Sequence, residues 1–373
     1  MLQPPFSALG LEDLLTWAKQ RELPAYRARQ FFRALSRQGI SEIGELTEFP
    51  LGLRVQTDAE RPLRSLKVRT HLHSSSDGSQ KVLFALADGM TVETVLIPSS
   101  RSADPQRYTV CVSSQVGCPA GCTFCATGLS GFGRNLTGYE IADQVMYFAG
   151  ALRRERRRVT NVVFMGMGEP FLNVPSVRDA VQRLTDPAGF GLGQRHLTVS
   201  TVGIVPQIRK FAEWGGQVNL AISLHAPNDE LRSSLVPYNQ RFPISDLIAA
   251  ALAYIATTRR RVSFEYVLLK DANDSAKLAR ELARLLLPFA GGAHVNLIPW
   301  NPFREGRFVR SEGPDAEAFA RVLREGGVNA TIRYSKGLDI SAACGQLRDT
   351  DELKKAPDRE SDAAVVPLQS VFG

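Results

Sequence analysis

Tyr108-Thr109-Val110-Cys111-Val112-Ser113-Ser114-Gln115-Val116-Gly117-Cys118-Pro119-Ala120-Gly121-Cys122-Thr123-Phe124-Cys125 opens as an apolar, β-branched run and then breaks into a loop. Gly117 and Gly121, with Gly128 just beyond, free the backbone to wrap around Cys118, Cys122 and Cys125. Close thiolates on such a loop ligate metal. A structural zinc site closes with four ligands, usually as two separated pairs, and no second pair occurs here. Three thiolates leave a position open, which suits an iron-sulfur cluster with one iron not held by protein.

Outward from that loop, residues from about 107 to 345 repeat strand, loop and helix. The strands are expected at Tyr108 to Ser113, Asn161 to Met165, Leu197 to Thr201, Val218 to Leu224, Val262 to Leu268, Val295 to Ile298 and Ala330 to Tyr334. Such alternation implies a parallel sheet. Six or seven units are too few for an eight-fold barrel, so the fold class is α/β, a partial, open β/α barrel with its site at the C-terminal strand ends. A doubly wound sheet is the alternative. Residues 1–95 read as an accessory domain: helical patterns at Leu11 to Trp17 and Tyr26 to Leu35, then a β-hairpin of Lys81 to Leu86 and Thr91 to Ile97. The barrel is assigned to 96–348, and 349–373 to a charged, disordered tail.

With 44% hydrophobic and 22% charged residues, the 373-residue chain has a globular composition, and no run of about 18 apolar residues marks a membrane span. The start lacks a secretory leader pattern, and five cysteines, an odd number, do not make a disulfide framework. A reducing cytoplasm is expected. The net charge of +7 is compatible with nucleic acid. Arg27, Arg29, Arg33 and Arg37 are either a solvated helix face or an RNA contact, and Arg153 to Arg158 either a solvated helix end or a phosphate contact.

The spacing Cys118-x3-Cys122-x2-Cys125 is similar to the radical SAM motif. Together with Cys111 to Cys118, Phe164-Met165-Gly166-Met167-Gly168-Glu169-Pro170, Ser223-Leu224-His225-Ala226, Ile298-Pro299-Trp300-Asn301-Pro302 and the segment Gly337 to Leu347, it resembles the RlmN/Cfr family of RNA adenosine methyltransferases. The likeness runs from roughly residue 20 to 347. It implies a [4Fe-4S] cluster on the three loop cysteines, with its free iron chelating S-adenosyl-L-methionine. Gly168, Glu169, Ser200, Ser223, Leu224, His225 and Asn301 would line the S-adenosylmethionine site. For Ser200 and Ser223 taken singly, a strand serine bonding nearby backbone is the common alternative.

The resemblance also gives the remaining cysteines a role. Cys344 would be methylated by one S-adenosylmethionine, and a second, cleaved reductively, would yield a radical that takes a hydrogen from the S-methyl group. The carbon radical adds to adenine, and Cys111 resolves the adduct by attacking the Cys344 sulfur, leaving a transient disulfide. Alone, Cys344 would read as a small buried hydrophobe. Glu93 matches a glutamate regarded as proton acceptor, although a strand residue there ordinarily faces solvent and the stretch Ser100 to Gln106 lengthens the usual spacing to Cys111. The implied activity is methylation of adenosine carbon 2 in 23S rRNA and in tRNA by a monomer served by an external, flavodoxin-type electron donor, two S-adenosylmethionine molecules being used per turnover. Methylation of carbon 8 is the alternative, and a non-catalytic, zinc-stabilised RNA-binding module is the reading from another class.

Overall fold

The computed structural model describes residues 3–99, 107–214, 216–289 and 291–347. The tail expected at 349–373 and the stretch Ser100 to Gln106 lie outside the described residues. Three helices begin the chain: α1 (Leu11–Lys19), α2 (Ala25–Arg33) and α3 (Leu51–Glu60). Apolar residues at helical spacing, Leu14, Trp17 and Ala18 on α1 and Ala28 and Phe31 on α2, face inward. They close on Phe6 and Phe49, with Phe31 4.9 Å from Phe6 and 5.6 Å from Phe49 between ring centroids. Edge and tilted ring contacts of this kind add stability beyond buried area.

Next come β1 (Lys67–His73), β2 (Gln80–Ala85), β3 (Thr91–Pro98) and β4 (Tyr108–Cys111), antiparallel to one another in sequence order. From β4 onward the sheet is parallel, through β7 (Asn161–Phe164), β8 (Leu197–Thr201), β9 (Asn219–Ser223), β10 (Val262–Leu268), β11 (Ala293–Pro299) and β12 (Ala330–Ile332). The order β1-β2-β3-β4-β7-β8-β9-β10-β11-β12 is linear, so the barrel is open. All seven expected core strands are present within a few residues of their expected ends. The hairpin differs: β1 makes it a three-stranded meander, and its last strand runs through residue 95 into the barrel sheet. The apolar cores divide earlier, one cluster spanning Phe6 to Leu63 and the main one beginning at Val82.

The crossovers are α5 (Gly138–Arg154), α6 (Val174–Thr185), α7 (Val205–Ala212), α9 (Ile244–Thr258), α10 (Ala276–Leu286) and α11 (Gly313–Glu325). The short α4 (Ala126–Leu129) and α8 (Asp229–Leu235) and a two-stranded ribbon, β5 (Gln115–Gly117) with β6 (Phe132–Asn135), sit in the connecting loops. Side chains at paired positions share a sheet face. One face carries Val110, Val162 and Leu197, then Phe164, Val199, Leu220 and Val262, then Ile222, Phe264 and Val295, all buried. The other carries Cys111, Val163 and Thr198, then Ser223, Glu265 and Asn296. A parallel sheet covered on both sides normally has two apolar faces. Here the concave face is polar, which marks it as the side that receives a ligand.

Candidate active site at the strand ends

The loop between β5 and α4 gathers Cys118, Cys122 and Cys125. The Cys125 N–H donates to the Cys122 carbonyl at 3.2 Å and the Cys118 N–H to that of Gly131 at 2.7 Å. Gly128 is required here, since a β-carbon on it would lie 2.7 Å from the Cys122 carbonyl oxygen and 2.9 Å from its nitrogen. Ala120, Phe124, Leu235, Val236, Val267 and Trp300 pack around the loop, and the Trp300 indole N–H donates to the Phe124 carbonyl at 2.8 Å.

Burial in this apolar wall pushes all three thiols up, and mutual repulsion adds to the rise for Cys118 and Cys122. As isolated thiolates they are therefore disfavoured; bound iron supplies the missing positive charge. Among the described residues no three His, Cys, Asp or Glu side chains converge on a single-ion site. Three thiolates on one loop would hold a cluster that leaves one iron without a protein ligand.

Arg232, on α8, lies beneath this loop and is 1% exposed. Its guanidinium donates to the carbonyls of Leu224 (3.0 Å), Ser223 (3.0 Å) and Val202 (2.5 Å) and to Asn239 Oδ1 (2.8 Å). The side chain ties the ends of β8 and β9 together, and its charge favours the Cys122 thiolate. From sequence it looks like an ordinary residue of a polar helix, and nothing local signals its burial.

Gly168 has φ of 103°, and a β-carbon there would meet Gln115 at 2.6 Å. The turn lets Glu169 enter the site, where Oε1 accepts from the Phe171 N–H (2.9 Å) and Oε2 from that of Val202 (2.7 Å). Burial raises its carboxyl to about 7 against these stabilising bonds. The Thr201 hydroxyl also bonds to this carboxylate, so three of its roughly four acceptor sites are taken and one is left for a ligand. Ser200 and Ser223 are half-buried on the concave face. Leu224 is fully buried in the core, and its backbone is engaged as well: its N–H donates to the Glu265 carbonyl at 3.0 Å and its carbonyl accepts from Arg232 and from the Ala226 N–H, so it shapes the site without offering a group to a ligand. His225, at φ 63°, accepts from the Val267 N–H through Nδ1 at 3.0 Å, and burial, then Arg232, lower its pKa to about 3.

Cys344 sits across the same mouth. Its residue is exposed, yet the thiol is crowded by protein as on the floor of a cleft, and burial raises it against the opposing charge of Arg333, with Glu265 and Cys125 adding to the rise. Cys111, buried at the end of β4, interacts electrostatically with Cys344 and is likewise raised by burial; the Met165 N–H donates to its sulfur. The Cys344 segment is fastened to the cluster loop: Ala126 N–H donates to the Gly345 carbonyl at 2.8 Å and Thr127 Oγ1 to that of Leu347 at 2.5 Å. Asn301, 1% exposed, donates to the Cys344 carbonyl (3.0 Å) and to Ser335 Oγ (2.8 Å) and accepts from Arg310 (2.8 Å). Both its donors are thus engaged in holding the loop.

Glu93 is buried on β3, with its carboxylate 2.8 Å from Lys81 Nζ. Its carbonyl accepts from Ser113 Oγ at 2.6 Å. Glu265 is buried beside Asn296, whose Nδ2 donates to it at 2.8 Å. Neither Lys81 nor Glu265 stands out from sequence, because a charged residue on a strand ordinarily faces solvent.

A concavity of about 640 Å³ opens elsewhere, lined by Arg29, Phe32, Arg33, Arg37 and Arg153 with Pro187 and Ala188. The end of α5 that supplies Arg153 lies beside the start of β7, at the opposite end of the strands from the cysteines. Arg153 and Arg154 reach Glu45 at 3.7 and 3.6 Å, whereas Arg29, Arg33 and Arg37 have no carboxylate partner among the described residues.

Residues 112–282 match the Radical SAM superfamily, a span that starts directly after Cys111 and takes in the whole three-thiol loop. The chain is a radical SAM enzyme, and that family implies a [4Fe-4S] cluster and S-adenosylmethionine. It is 47% identical to a probable dual-specificity RNA methyltransferase RlmN from Thermosynechococcus vestitus, over 90% of this chain and 96% of the relative. It is 46% identical to a ribosomal RNA large subunit methyltransferase N from Nitrosopumilus maritimus, over 87% and 92%. A crystal structure of a radical SAM methyltransferase from Sphaerobacter thermophilus superposes with a TM-score of 0.87 at 46% identity, covering 93% of this chain and 99% of that one. The chain belongs to the RlmN/Cfr family of radical SAM RNA methyltransferases.

Proposed function

We propose that the chain methylates carbon 2 of an adenosine in 23S rRNA and in tRNA, with Cys344 as methyl carrier and Cys111 as resolving thiol. The observation that supports this is that the Cys344 segment is bonded to the loop of Cys118, Cys122 and Cys125 and lies near enough to Cys111 for the two thiols to interact electrostatically. Those three thiolates would hold the cluster. When bound, cluster and S-adenosylmethionine supply one-electron chemistry that can take hydrogen from an unactivated methyl group. Gly168, Glu169, Ser200, the backbone of Ser223 to His225 and Asn301 border the space where the sulfonium would lie, and two S-adenosylmethionine molecules serve each turnover.

The chain's own steps follow from its thiols. Cys344 accepts a methyl group and, through that carbon, becomes joined to adenine. Glu93 takes the proton displaced from the ring carbon, and the electron that this leaves on the radical adduct would return to the one-electron carrier that supplied it. Cys111 then attacks the Cys344 sulfur: an S–S bond forms, the sulfur-carbon bond breaks, and its electron pair leaves on the carbon, which takes a proton to become the methyl group. An external dithiol returns the disulfide to two thiols.

The accessory residues 1–95 and the basic concavity would contact RNA phosphates, as expected of a cytoplasmic monomer working on large RNA; no described helix is long and apolar enough to cross a membrane. Denaturing gels of the enzyme with RNA, S-adenosylmethionine and a reductant test the thiol assignments. Cys111→Ala is expected to stall as an RNA-linked band, and Cys344→Ala to give neither band nor product. Methylation of RNA by Cys344→Ala would falsify the carrier role. Mass spectrometry of the modified adenosine distinguishes carbon 2 from carbon 8.

A further inference from the structure

We propose that Lys81 is a positioning residue that fixes the Glu93 carboxylate and the Cys344 loop relative to each other. Its ammonium, on β2, lies 2.8 Å from Glu93 Oε1 and donates to the Ser341 carbonyl at 3.1 Å, three residues before Cys344. Register puts Lys81 opposite Val95, and Val95 opposite Cys111. Glu93, two residues from Val95, projects to the same face. One ammonium thus joins the residue proposed to accept the proton to the segment that carries the methyl.

Fold stability gives no account of this arrangement. The lysine and glutamate side chains are only 11% and 5% exposed. Removing two ions from water costs several kcal/mol each, and apolar residues of similar volume at such places are often as stable or more so. Leu83 and Val95, which share that sheet face with the pair, are themselves buried and provide an apolar setting in which such a replacement would pack. What the pair supplies is geometry. A carboxylate held by a fixed cation keeps one orientation, and the bond to Ser341 makes that orientation depend on the Cys344 loop being seated. Proton acceptance is thereby confined to the arrangement in which Cys344 is in place.

The inference rests on the reading of Glu93 as proton acceptor, and the test separates the two. Reconstituted holoenzymes carrying Lys81→Met, Lys81→Gln, Lys81→Arg, Glu93→Gln and the Lys81→Met/Glu93→Gln pair are followed with RNA, S-adenosylmethionine and reductant for iron content, Cys344 methylation, RNA-linked band and methylated product. Lys81→Met and Lys81→Gln are expected to keep iron and Cys344 methylation, to slow product release roughly tenfold or more, and to accumulate the RNA-linked band. Lys81→Arg restores part of the rate, and the double variant is no slower than Glu93→Gln alone, because coupled residues are not additive. Wild-type turnover in Lys81→Met, loss of iron or of Cys344 methylation in Lys81→Met and Lys81→Gln, or rate losses that multiply in the double variant, overturns the proposal. A fully active Glu93→Gln removes the proton-acceptor reading instead, and with it the coupling claimed for Lys81.

Discussion

Asn301 Nδ2 donates to the Cys344 carbonyl at 3.0 Å, and this bond crosses from the end of β11 to the loop that carries the reactive thiol. The asparagine spends its other donor on Ser335 and accepts from Arg310, so it is a brace within the loop's own support. A residue expected from the family resemblance to line the S-adenosylmethionine site therefore also sets where Cys344 stands.

Replacing Asn301 by alanine removes the donor to the part-buried Cys344 carbonyl, at a cost of about 1 kcal/mol. Displacement of a reacting atom by an ångström can lower rate on the order of 10²-fold. Asn301→Ala is expected to bind S-adenosylmethionine within a fewfold of wild type while Cys344 methylation and adduct formation fall much further. Calorimetric titration beside a methylation time course measures both; equal losses in the two would show that Asn301 acts only through ligand binding.

Alanine in place of Cys118, Cys122 or Cys125 is expected to remove most iron after anaerobic reconstitution and to abolish reductive cleavage of S-adenosylmethionine. Arg232→Met leaves the three sulfurs but removes a charge that favours the Cys122 thiolate, three hydrogen bonds to the ends of β8 and β9 and a fourth to Asn239. Lower thermal stability together with weaker cluster retention is the expected result. Iron and sulfide assays across the four variants check it, and full retention in every cysteine variant would place the cluster elsewhere.

What is legible in the sequence and what is not follows the range of each interaction. The strand at Val262 to Leu268 is an apolar, β-branched run, and the three-cysteine loop is a contiguous pattern, so both are legible locally. The strand Lys67–His73 is exposed along nearly its whole length, and its only apolar residues, Val68 and Leu72, are open to solvent, too weak an alternation to mark a strand, which is why the meander reads as a hairpin. Lys81 owes its burial to a partner far along the chain, Ser341, at a separation of 260 residues. No window of sequence contains both ends of that bond. The arginines are visible as a charged helix, but their convergence with Arg153 depends on how the first helices dock against α5.

At that concavity Arg29, Arg33 and Arg37 repeat every four residues, a like-charge spacing that costs a helix a few tenths of a kcal/mol per pair. A polyanion would offset the cost. Glutamine at all three positions is expected to lower the slope of log affinity against log salt by roughly 0.7–0.9 for each phosphate that is no longer neutralised. The concavity is at the far end of the strands from Cys344, so the effect should be large for full-length tRNA and small for a short stem-loop that only reaches the barrel mouth. Filter binding at several salt concentrations measures both substrates; identical slopes for wild type and variant return the arginines to a solvated face.

His225 supplies a pH-dependent test of the site's burial. Its folded pKa is lowered to about 3, first by burial and then by Arg232, whereas in the unfolded chain it titrates near its ordinary value of about 6.5. As pH falls below that value, the unfolded chain binds a proton that the folded chain refuses. Stability contributed by the neutral imidazole is therefore present above about pH 6.5 and declines toward pH 3, by up to about 1.4 kcal/mol per pH unit. Asparagine tolerates the left-handed backbone at φ 63° and offers an oxygen where Nδ1 accepts from Val267. In urea unfolding at pH 7 and pH 5, His225→Asn should lose less stability than wild type between the two. Parallel losses would mean that His225 takes up its proton in the folded state and that the cavity admits water.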